Sequence, residues 1–441
     1  MASITIRDPL WDTIRVDGPA RRIIDSAPFQ RLRYIRQLGH AHLVYPGANH
    51  TRFDHAVGVY HLASRALAVL GERGDLVAVD PADCALIPLA ALLHDIGHYP
   101  FSHALEELAP GQVPGDHEAL VGRFLQHPDV GTALAEVAPD GAARVEALIR
   151  GRSDSPLQGL VSGSLDLDKI EYLKRDARFC GVPYGEVDVD RLLHALTLLR
   201  DPDTGRLEVG VHEKGVAALE SRLFAKYQMF RNVYWHHAVR AATVLYKRVV
   251  ADALEAGILA ADEVVGATDE GLMHLLQDRA AQREGDAARR LGEGVSALRG
   301  RRLPKRAAEV SAGQLGDGGA GVWMETDSSL KRRVEERLAD ELGTGPGTVY
   351  LDFPEKRAMF GLDLLLLLRS GETSRLGPAG RSGLIGLPRI ADELYRSARV
   401  LRLFTGGERR QVPPAAVEGL ARLTAPEAEA ALRAGARFLP S

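Results

Sequence analysis

The chain has 441 residues, of which 45% are hydrophobic, and its formal net charge is −4 at pH 7. This length allows two or three domains with sizeable apolar cores. The weakly negative charge argues against a protein that coats nucleic acid or an anionic membrane, so we expect no membrane partner and no nucleic acid as primary partner.

Apolar residues spaced three and four apart predict helices along most of the first 260 residues. The clearest helical segments are 56–70, 117–127, 166–179 and 215–254. Strand-like segments are short and occur near residue 43 (LVYP), at 348–353 and at 400–404. A polar, Arg-rich stretch and the following AGQLGDGGAG predict flexible connections between about 283 and 321.

These patterns predict a mainly α protein. Residues 1–260 would form an all-helical core, and residues 261–441 a smaller mixed α+β lobe with a regulatory or oligomerisation role. Cys84 and Cys180 stand far apart, which argues against a disulfide framework and a thiolate zinc site. The longest apolar run, 364–368, is far shorter than the roughly 20 residues of a membrane span. The first residues lack the pattern of a signal peptide, so we expect a soluble, cytoplasmic protein.

Histidines are concentrated between residues 40 and 117, where nine of the fifteen occur. Four residues from separate segments form a candidate metal site: His55, His94, Asp95 and Asp168. Two imidazoles and two carboxylates suit a divalent transition ion, or magnesium with lower affinity. Adjacent helical residues diverge by about 100°, so His94 and Asp95 can share an ion only if other helices close the shell.

The order H…HD…D, with GHxPFSH after the HD pair, resembles the HD-domain phosphohydrolases. The likeness is greatest to the dNTP triphosphohydrolases, because VYPGANHTRFDHAVGVYHLA, HDIGHYPFSHALE and DLDKIEYLKRD follow one another as that family's blocks do. It covers roughly residues 5–245 and is weak beyond 260. The resemblance implies hydrolysis at the α-phosphorus of a dNTP, which yields a deoxynucleoside and inorganic triphosphate.

The resemblance implies that His55, His94, Asp95 and Asp168 hold one divalent metal ion per subunit. The ion would be Mn, Fe, Zn, Ni or Mg, and magnesium would also accompany the nucleotide phosphates. His98, His103 and His117 follow the HD pair and would donate protons or hydrogen bonds to the triphosphate. Glu106, three residues after His103, would orient an imidazole. The alternative is a second metal ion at these residues, as in dinuclear HD phosphodiesterases.

Further residues match substrate contacts of the family. The substrate-binding set is Gln37, Leu38, Arg52, His103, Lys169, Tyr172, Asp176, Lys226 and Tyr234. The cations among them would contact phosphates, although the family often has arginine where this chain has Lys226. Gln37 and Leu38 would meet the deoxyribose. Asp168, Tyr172 and Asp176 are also spaced four residues apart, which places a metal ligand and two polar groups on one helix face.

Regulation is implied by a match further upstream. Asp25, Gln30 and Arg33 match positions where related enzymes recognise a guanine-containing activator at a subunit interface. The alternative is an amphipathic helix with a solvated basic face. Ile4 departs from the vertebrate dNTP triphosphohydrolases, which have an activator-contacting lysine at that position. We expect a homodimer or homotetramer that is activated by GTP or a dNTP.

Two other functions are compatible with the sequence. The first is an HD phosphohydrolase that acts on a mononucleotide, a cyclic nucleotide or (p)ppGpp. The second is a nucleotide-sensing regulator with little turnover. The complete ligand set argues against a regulator without activity, and the three phosphate-facing cations favour a longer phosphate chain.

Overall fold

The computed structural model describes residues 3–108, 112–113, 115, 117–316, 320–355, 361–377, 380 and 387–440. Contacts divide the chain into two compact units that alternate along the sequence. The first unit comprises Met1–Pro100, Gly115–Met229 and Phe360–Ile390, and the second comprises Phe101–Pro114, Phe230–Met359 and Ala391–Ser441. The division into functional domains at residue 260 stays a prediction. Within the described residues, no helix is both long and apolar enough to cross a membrane.

The described residues form the α-helices α1 (Gly18–Asp25), α2 (Ala27–Gln30), α3 (Arg52–Glu72), α4 (Pro81–Leu93), α5 (Ser102–Leu105), α6 (His117–Leu125), α7 (Pro128–Ala135), α8 (Gly141–Ile149), α9 (Leu167–Cys180), α10 (Val189–Leu193), α11 (Val216–Met229), α12 (His237–Glu255), α13 (Ala261–Val265), α14 (Asp269–Ala281), α15 (Asp286–Arg299), α16 (Ala312–Leu315), α17 (Trp323–Thr326), α18 (Ser328–Leu342), α19 (Leu387–Ala398), α20 (Pro414–Arg422) and α21 (Ala425–Arg433).

The strands are β1 (Ile4–Asp8), β2 (Asp12–Val16), β3 (Leu196–Arg200), β4 (Leu207–His212), β5 (Lys305–Ser311), β6 (Val349–Asp352), β7 (Leu364–Leu367), β8 (Thr373–Leu376) and β9 (Val400–Thr405). In the first unit, β1 and β2 form an antiparallel hairpin, and a second sheet has the order β3-β4-β7-β8. Only the β4–β7 pair of that sheet is parallel. In the second unit, β9 lies between β5 and β6 and is antiparallel to both.

The core of the first unit places three helix ends beside one another. α3 packs against α4 and α9. A capping box starts α3, because the Thr51 side chain accepts from the Asp54 amide and the Asp54 carboxylate accepts from the Thr51 amide. Asp166 caps the start of α9 by accepting from the Lys169 amide. These caps define where the two helices begin and therefore where their first-turn side chains lie.

The mainly α fold is confirmed, and α3, α6 and α9 occupy the segments predicted to be helical. The predicted all-helical core needs correction, because the first unit also contains two small sheets. The predicted helix over 215–254 is divided by a π-turn at Phe230–Tyr234, and a new helix starts after His236. There the His236 side chain accepts a hydrogen bond from the Ala238 amide, which caps α12.

Predictions for the short strands and the connections had mixed outcomes. The segments at 348–353 and 400–404 overlap β6 and β9, as predicted, whereas the LVYP segment starts at the last residue of a 3-10 turn and is not a strand. The prediction of flexible connections over 283–321 is wrong for most of its described residues, which form α15, β5 and α16. The apolar residues of α15 are buried at helical spacing despite its polar composition. Residues 317–319 lie outside the described residues.

Candidate metal centre and active site

Three helix ends carry the predicted metal ligands. His55 lies in the first turn of α3, His94 is the C-cap of α4 with Asp95 directly after it, and Asp168 lies in the first turn of α9. The Nε2 atom of His55 is 3.2 Å from Nε2 of His94 and 2.9 Å from Oδ1 of Asp168. The Nε2 atom of His94 is 3.3 Å from Oδ1 of Asp95 and 3.5 Å from Oδ1 of Asp168. The structure therefore brings all four predicted ligands together.

Hydrogen bonds on the far side of each imidazole orient the two rings. Nδ1 of His94 lies 2.8 Å from the carbonyl oxygen of Ala91, and Nδ1 of His55 lies 2.7 Å from Oε2 of Glu171. Both partners are acceptors, so we assign the Nδ1-protonated tautomer, which presents the Nε2 lone pairs to the centre. Two lone pairs and two carboxylates at these distances repel one another unless a cation lies between them. The donor set thus fits a divalent metal ion.

The pKa shifts of His55 and His94 also indicate that this cluster favours a positive charge. Burial lowers the pKa of His55, but the bonds to Asp168 and Glu171 outweigh burial and raise this pKa to about 10. Burial also opposes protonation of His94, whereas Asp95 and Asp168 raise its pKa. In the absence of a metal, protons would therefore supply the positive charge that this cluster requires.

Glu171 is a residue of the centre that the sequence analysis missed. It is fully buried, and its Oε1 accepts hydrogen bonds from Nε1 of Trp11 at 3.0 Å and from Nε of Arg175 at 2.7 Å. Burial raises the pKa of Glu171, but Arg175 and His55 lower it to about 2. The carboxylate is therefore ionised at neutral pH and holds His55 in place. Glu171 could have been predicted from its position three residues after Asp168, because residues i and i+3 lie on the same helix face.

Glycine is required next to this carboxylate. A Cβ atom at Gly58 would lie 2.0 Å from Oε1 of Glu171 and 2.8 Å from a guanidinium nitrogen of Arg175. Alanine at this position would displace the carboxylate that orients His55. Gly58 therefore allows α3 to approach the Glu171 carboxylate closely.

Replacing Glu171 by glutamine is expected to lower the affinity for Mn²⁺ by about 10- to 100-fold, the usual effect of losing a partner that orients a ligand. The variant keeps the shape of the side chain but removes the charge that holds His55. Isothermal titration calorimetry of metal-stripped protein measures the affinity. Glu72→Gln, at an exposed position of α3, is the matched control. Equal affinities in both variants would show that Glu171 does not support the metal.

Asp95 also contacts two of the other predicted residues. Nη1 of Arg52 lies 2.5 Å from Oδ2 of Asp95, and Nε2 of His98 lies 3.0 Å from Oδ1. The ring of His98 stacks on that of His117 with 3.7 Å between centroids. Burial, Arg52 and His117 lower the pKa of His98 well below its usual value. His98 is therefore neutral, and the group of Asp95, His98 and His117 could itself hold a metal ion.

Two residues of the predicted substrate-binding set, Tyr172 and Asp176, follow the predicted metal ligand Asp168 along α9. Asp176 is 1% exposed, and its Oδ1 lies 2.8 Å from Nε2 of His50, which is 2% exposed. The carbonyl oxygen of His50 accepts from the backbone amide of Gln37 at 3.0 Å, so the Gln37–Leu38 segment is tied to the residue that holds Asp176. His50 was not predicted, because only the fold brings it to Asp176.

The remaining predicted phosphate contacts lie on α9 and α11 in the first unit. Lys169 contacts the Asp166 carboxylate and donates to the carbonyl of Gly163 at 3.0 Å. Lys226 is 5% exposed on α11, which packs against α9.

Other predicted residues make local contacts. In the second unit, Nδ1 of His103 lies 3.1 Å from Oε2 of Glu106, as predicted. The ring of Tyr234 makes an edge contact with Phe230, also in the second unit.

The predicted activator residues also have local partners. Nε of Arg33 donates to Oε1 of Gln30 at 2.8 Å, and its guanidinium lies 3.5 Å from the centre of the Phe53 ring. Asp25 pairs with Arg21 at 3.6 Å. These contacts do not test activator binding, which stays a prediction.

The comparisons with known proteins agree with this geometry. Residues 52–163 match the family described as HD domain, and residues 187–378 match the family described as HD associated region. An uncharacterized protein of Methanocaldococcus jannaschii is 35% identical over 273 residues, which is 62% of this chain and 54% of that protein. The human deoxynucleoside triphosphate triphosphohydrolase SAMHD1 is 28% identical over 262 residues, which is 52% of this chain and 41% of that protein.

The chain thus spans about half the length, or less, of these curated relatives. The crystal structure of a phosphohydrolase from Bacteroides thetaiotaomicron has the same fold, with a TM-score of 0.70 and 20% identity, and the match covers 92% of this chain and all of that one. The HD-domain match encloses His55, His94 and Asp95. The predicted resemblance is confirmed, because residues 52–163 match an HD domain and residues 187–378 match an HD associated region.

Proposed function

We propose that the protein is a metal-dependent deoxynucleoside triphosphate triphosphohydrolase. The observation that carries this proposal is the arrangement along α9, where Tyr172 and Asp176 follow the metal ligand Asp168 at helical spacing. The 2.8 Å hydrogen bond from His50 orients the buried Asp176 carboxylate, which would accept a hydrogen bond from a sugar hydroxyl. The likeness to enzymes named deoxynucleoside triphosphate triphosphohydrolase supports the same substrate class.

In this proposal, His55, His94, Asp95 and Asp168 hold one divalent ion, which would be Mn, Fe, Zn, Ni or Mg. When bound, the ion would supply a water of lowered pKa and polarise a phosphoryl oxygen. Attack by water at the α-phosphorus breaks its bond to the 5′ oxygen of the nucleoside, and that oxygen takes up a proton. The triphosphate leaves with the oxygen of the water.

The chain's own residues would bind and orient the substrate. Arg52 is held by Asp95 and Lys169 by Asp166, so both cations are positioned before a triphosphate arrives. Neutral His98, stacked on His117, would donate a hydrogen bond to the reacting phosphate. We assign Gln37 to the edge of the deoxyribose, where a closely fitted pocket would reject a 2′-hydroxyl.

The remaining roles belong to the same proposal. Lys226 would contact phosphate, and the roles of His103, Glu106 and Tyr234 stay predictions from the resemblance. Asp25, Gln30 and Arg33 would recognise GTP or a dNTP as activator in a homodimer or homotetramer. Such an activator raises turnover only by binding the assembled, active state more tightly than the other states.

Incubation of the purified protein with each dNTP and Mn²⁺ or Mg²⁺, with and without GTP, is expected to release deoxynucleoside and triphosphate in equal amounts. Chromatography identifies the products, and in H₂¹⁸O the label should enter the triphosphate, because water attacks phosphorus. The ribonucleoside triphosphates are the matched control and should turn over more slowly. Formation of dNMP with pyrophosphate, or of dNDP with phosphate, would contradict the assigned bond.

The group of Asp95, His98 and His117 favours a second candidate function. Because Asp95 belongs to both clusters, two metal ions could share its carboxylate. Such a dinuclear centre would suit an HD phosphohydrolase that acts on a mononucleotide, a cyclic nucleotide or (p)ppGpp. Two metal ions per chain, together with turnover of one of these nucleotides and not of a dNTP, would favour this candidate.

A further inference from the structure

Arg222 lies on α11 and is 3% exposed. Its Nε and Nη1 atoms are buried and have no hydrogen-bond partner, and no ion pair to this arginine occurs among the residues that the structure describes. An unpaired charge in a protein interior opposes folding, because it has lost its hydration and gained no partner. A buried arginine of this kind would therefore be stabilised by a bound anion that is not part of the chain.

The surroundings of Arg222 are those of the proposed phosphate site. Lys226 follows one turn later on the same helix and is also buried, so two cations face the same side of α11 without a carboxylate bound to Arg222. Like charges at this spacing repel each other. α11 packs against α9, and two groups there act electrostatically on Arg222: Asp166, which caps α9, and Tyr172.

Asp166 is already engaged by other donors. One of its carboxylate oxygens accepts from the Lys169 amide at 3.2 Å, and the other contacts the Lys169 ammonium group. Within the described residues, Nε and Nη1 of Arg222 make no hydrogen bond to Asp166. The chemistry that would satisfy Arg222 is a phosphate group, whose oxygens accept two parallel hydrogen bonds from one guanidinium.

We infer that Arg222 is a phosphate-binding residue, held without a partner on α11 to bind the polyphosphate group of the substrate together with Lys226. This inference rests on one part of the proposed function, namely that the ligand of this site carries a phosphate chain. It assigns a role to a residue outside the set predicted from the sequence.

Arg222→Met tests the inference, because methionine fills similar space without charge. The variant is expected to bind inorganic tripolyphosphate about 10- to 100-fold more weakly in calorimetry, the effect of losing hydrogen bonds to a charged group. Its Tm without ligand should equal or exceed that of the wild type, because an unpaired buried charge has been removed. Arg222→Lys keeps the charge but loses the planar fork, and should bind with intermediate affinity. Arg289→Met, at an exposed ion pair, is the control and should change neither quantity.

Unchanged tripolyphosphate affinity in Arg222→Met would overturn the inference. Weaker binding accompanied by a lower Tm in both Arg222 variants would also overturn it, since that result describes a structural residue. The proposed function can fail separately. If no dNTP is hydrolysed but tripolyphosphate binding still depends on Arg222, then the phosphate site stands and the assigned reaction is wrong.

Discussion

Replacing Asp95 or His94 by alanine is expected to abolish bound divalent metal and turnover together, while the helical content is unchanged. Each change removes a ligand from a cluster whose atoms lie about 3 to 4 Å apart, and loss of Asp95 also leaves the buried Arg52 without its carboxylate. The neighbouring helices keep their caps and apolar packing, so their circular dichroism should be preserved. Metal content is measured by elemental analysis of the purified variants, and turnover by product release from dNTPs.

The matched control for these variants is His194→Ala, an exposed histidine in the same unit. It should retain both metal and turnover. Stoichiometric metal in both the Asp95 and the His94 variants would show that the ion binds elsewhere. Loss of turnover with full retention of metal would instead assign these side chains a role in the reaction alone.

Arg240→Met is expected to lower the free energy of unfolding by about 3–5 kcal/mol, the cost of leaving a buried charge without its partner. Arg240 is 5% exposed in the second unit, where its guanidinium binds two carboxylates. Its nitrogens lie 2.9 and 2.8 Å from the oxygens of Glu107, and 2.9 and 2.6 Å from those of Asp352. The variant leaves Asp352, which is 1% exposed, without this partner. Denaturant unfolding at pH 7, followed by circular dichroism, measures the change.

The pH dependence of this difference provides a second measurement. Burial raises the pKa of Glu107, but Arg240 and Lys247 outweigh burial and lower it well below its ordinary value of 4.5. The ionised carboxylate therefore stabilises the fold above that value, and the contribution is lost as the pH falls toward the lowered pKa. The difference in the free energy of unfolding between the wild type and Arg240→Met should therefore become smaller in acid. Equal stabilities at pH 7 would contradict the proposed energetic role of Arg240.

The helices α3, α6 and α9 could be predicted because helical periodicity and caps are local properties of the sequence. The residues of the candidate metal centre could be predicted for a similar reason. His55 follows the Thr51 cap by four residues, and His94 with Asp95 ends a continuous apolar helix, so each ligand stands in a distinctive short segment. The resemblance to the HD-domain family depended on the order of these segments, which is also contained in the sequence alone.

The surroundings of the ligands were decided only by the tertiary structure. Glu171 is 116 residues from His55 and 160 residues from Trp11, and His50 is 126 residues from Asp176. No local pattern indicates such pairs, because their hydrogen bonds form only after separate elements have packed. The polar composition of α15 likewise led to the wrong prediction of a flexible connection, because burial of its apolar residues depends on the neighbouring helices. The unpaired state of Arg222 is the clearest case, because the lack of a partner depends on every group that the fold brings near it.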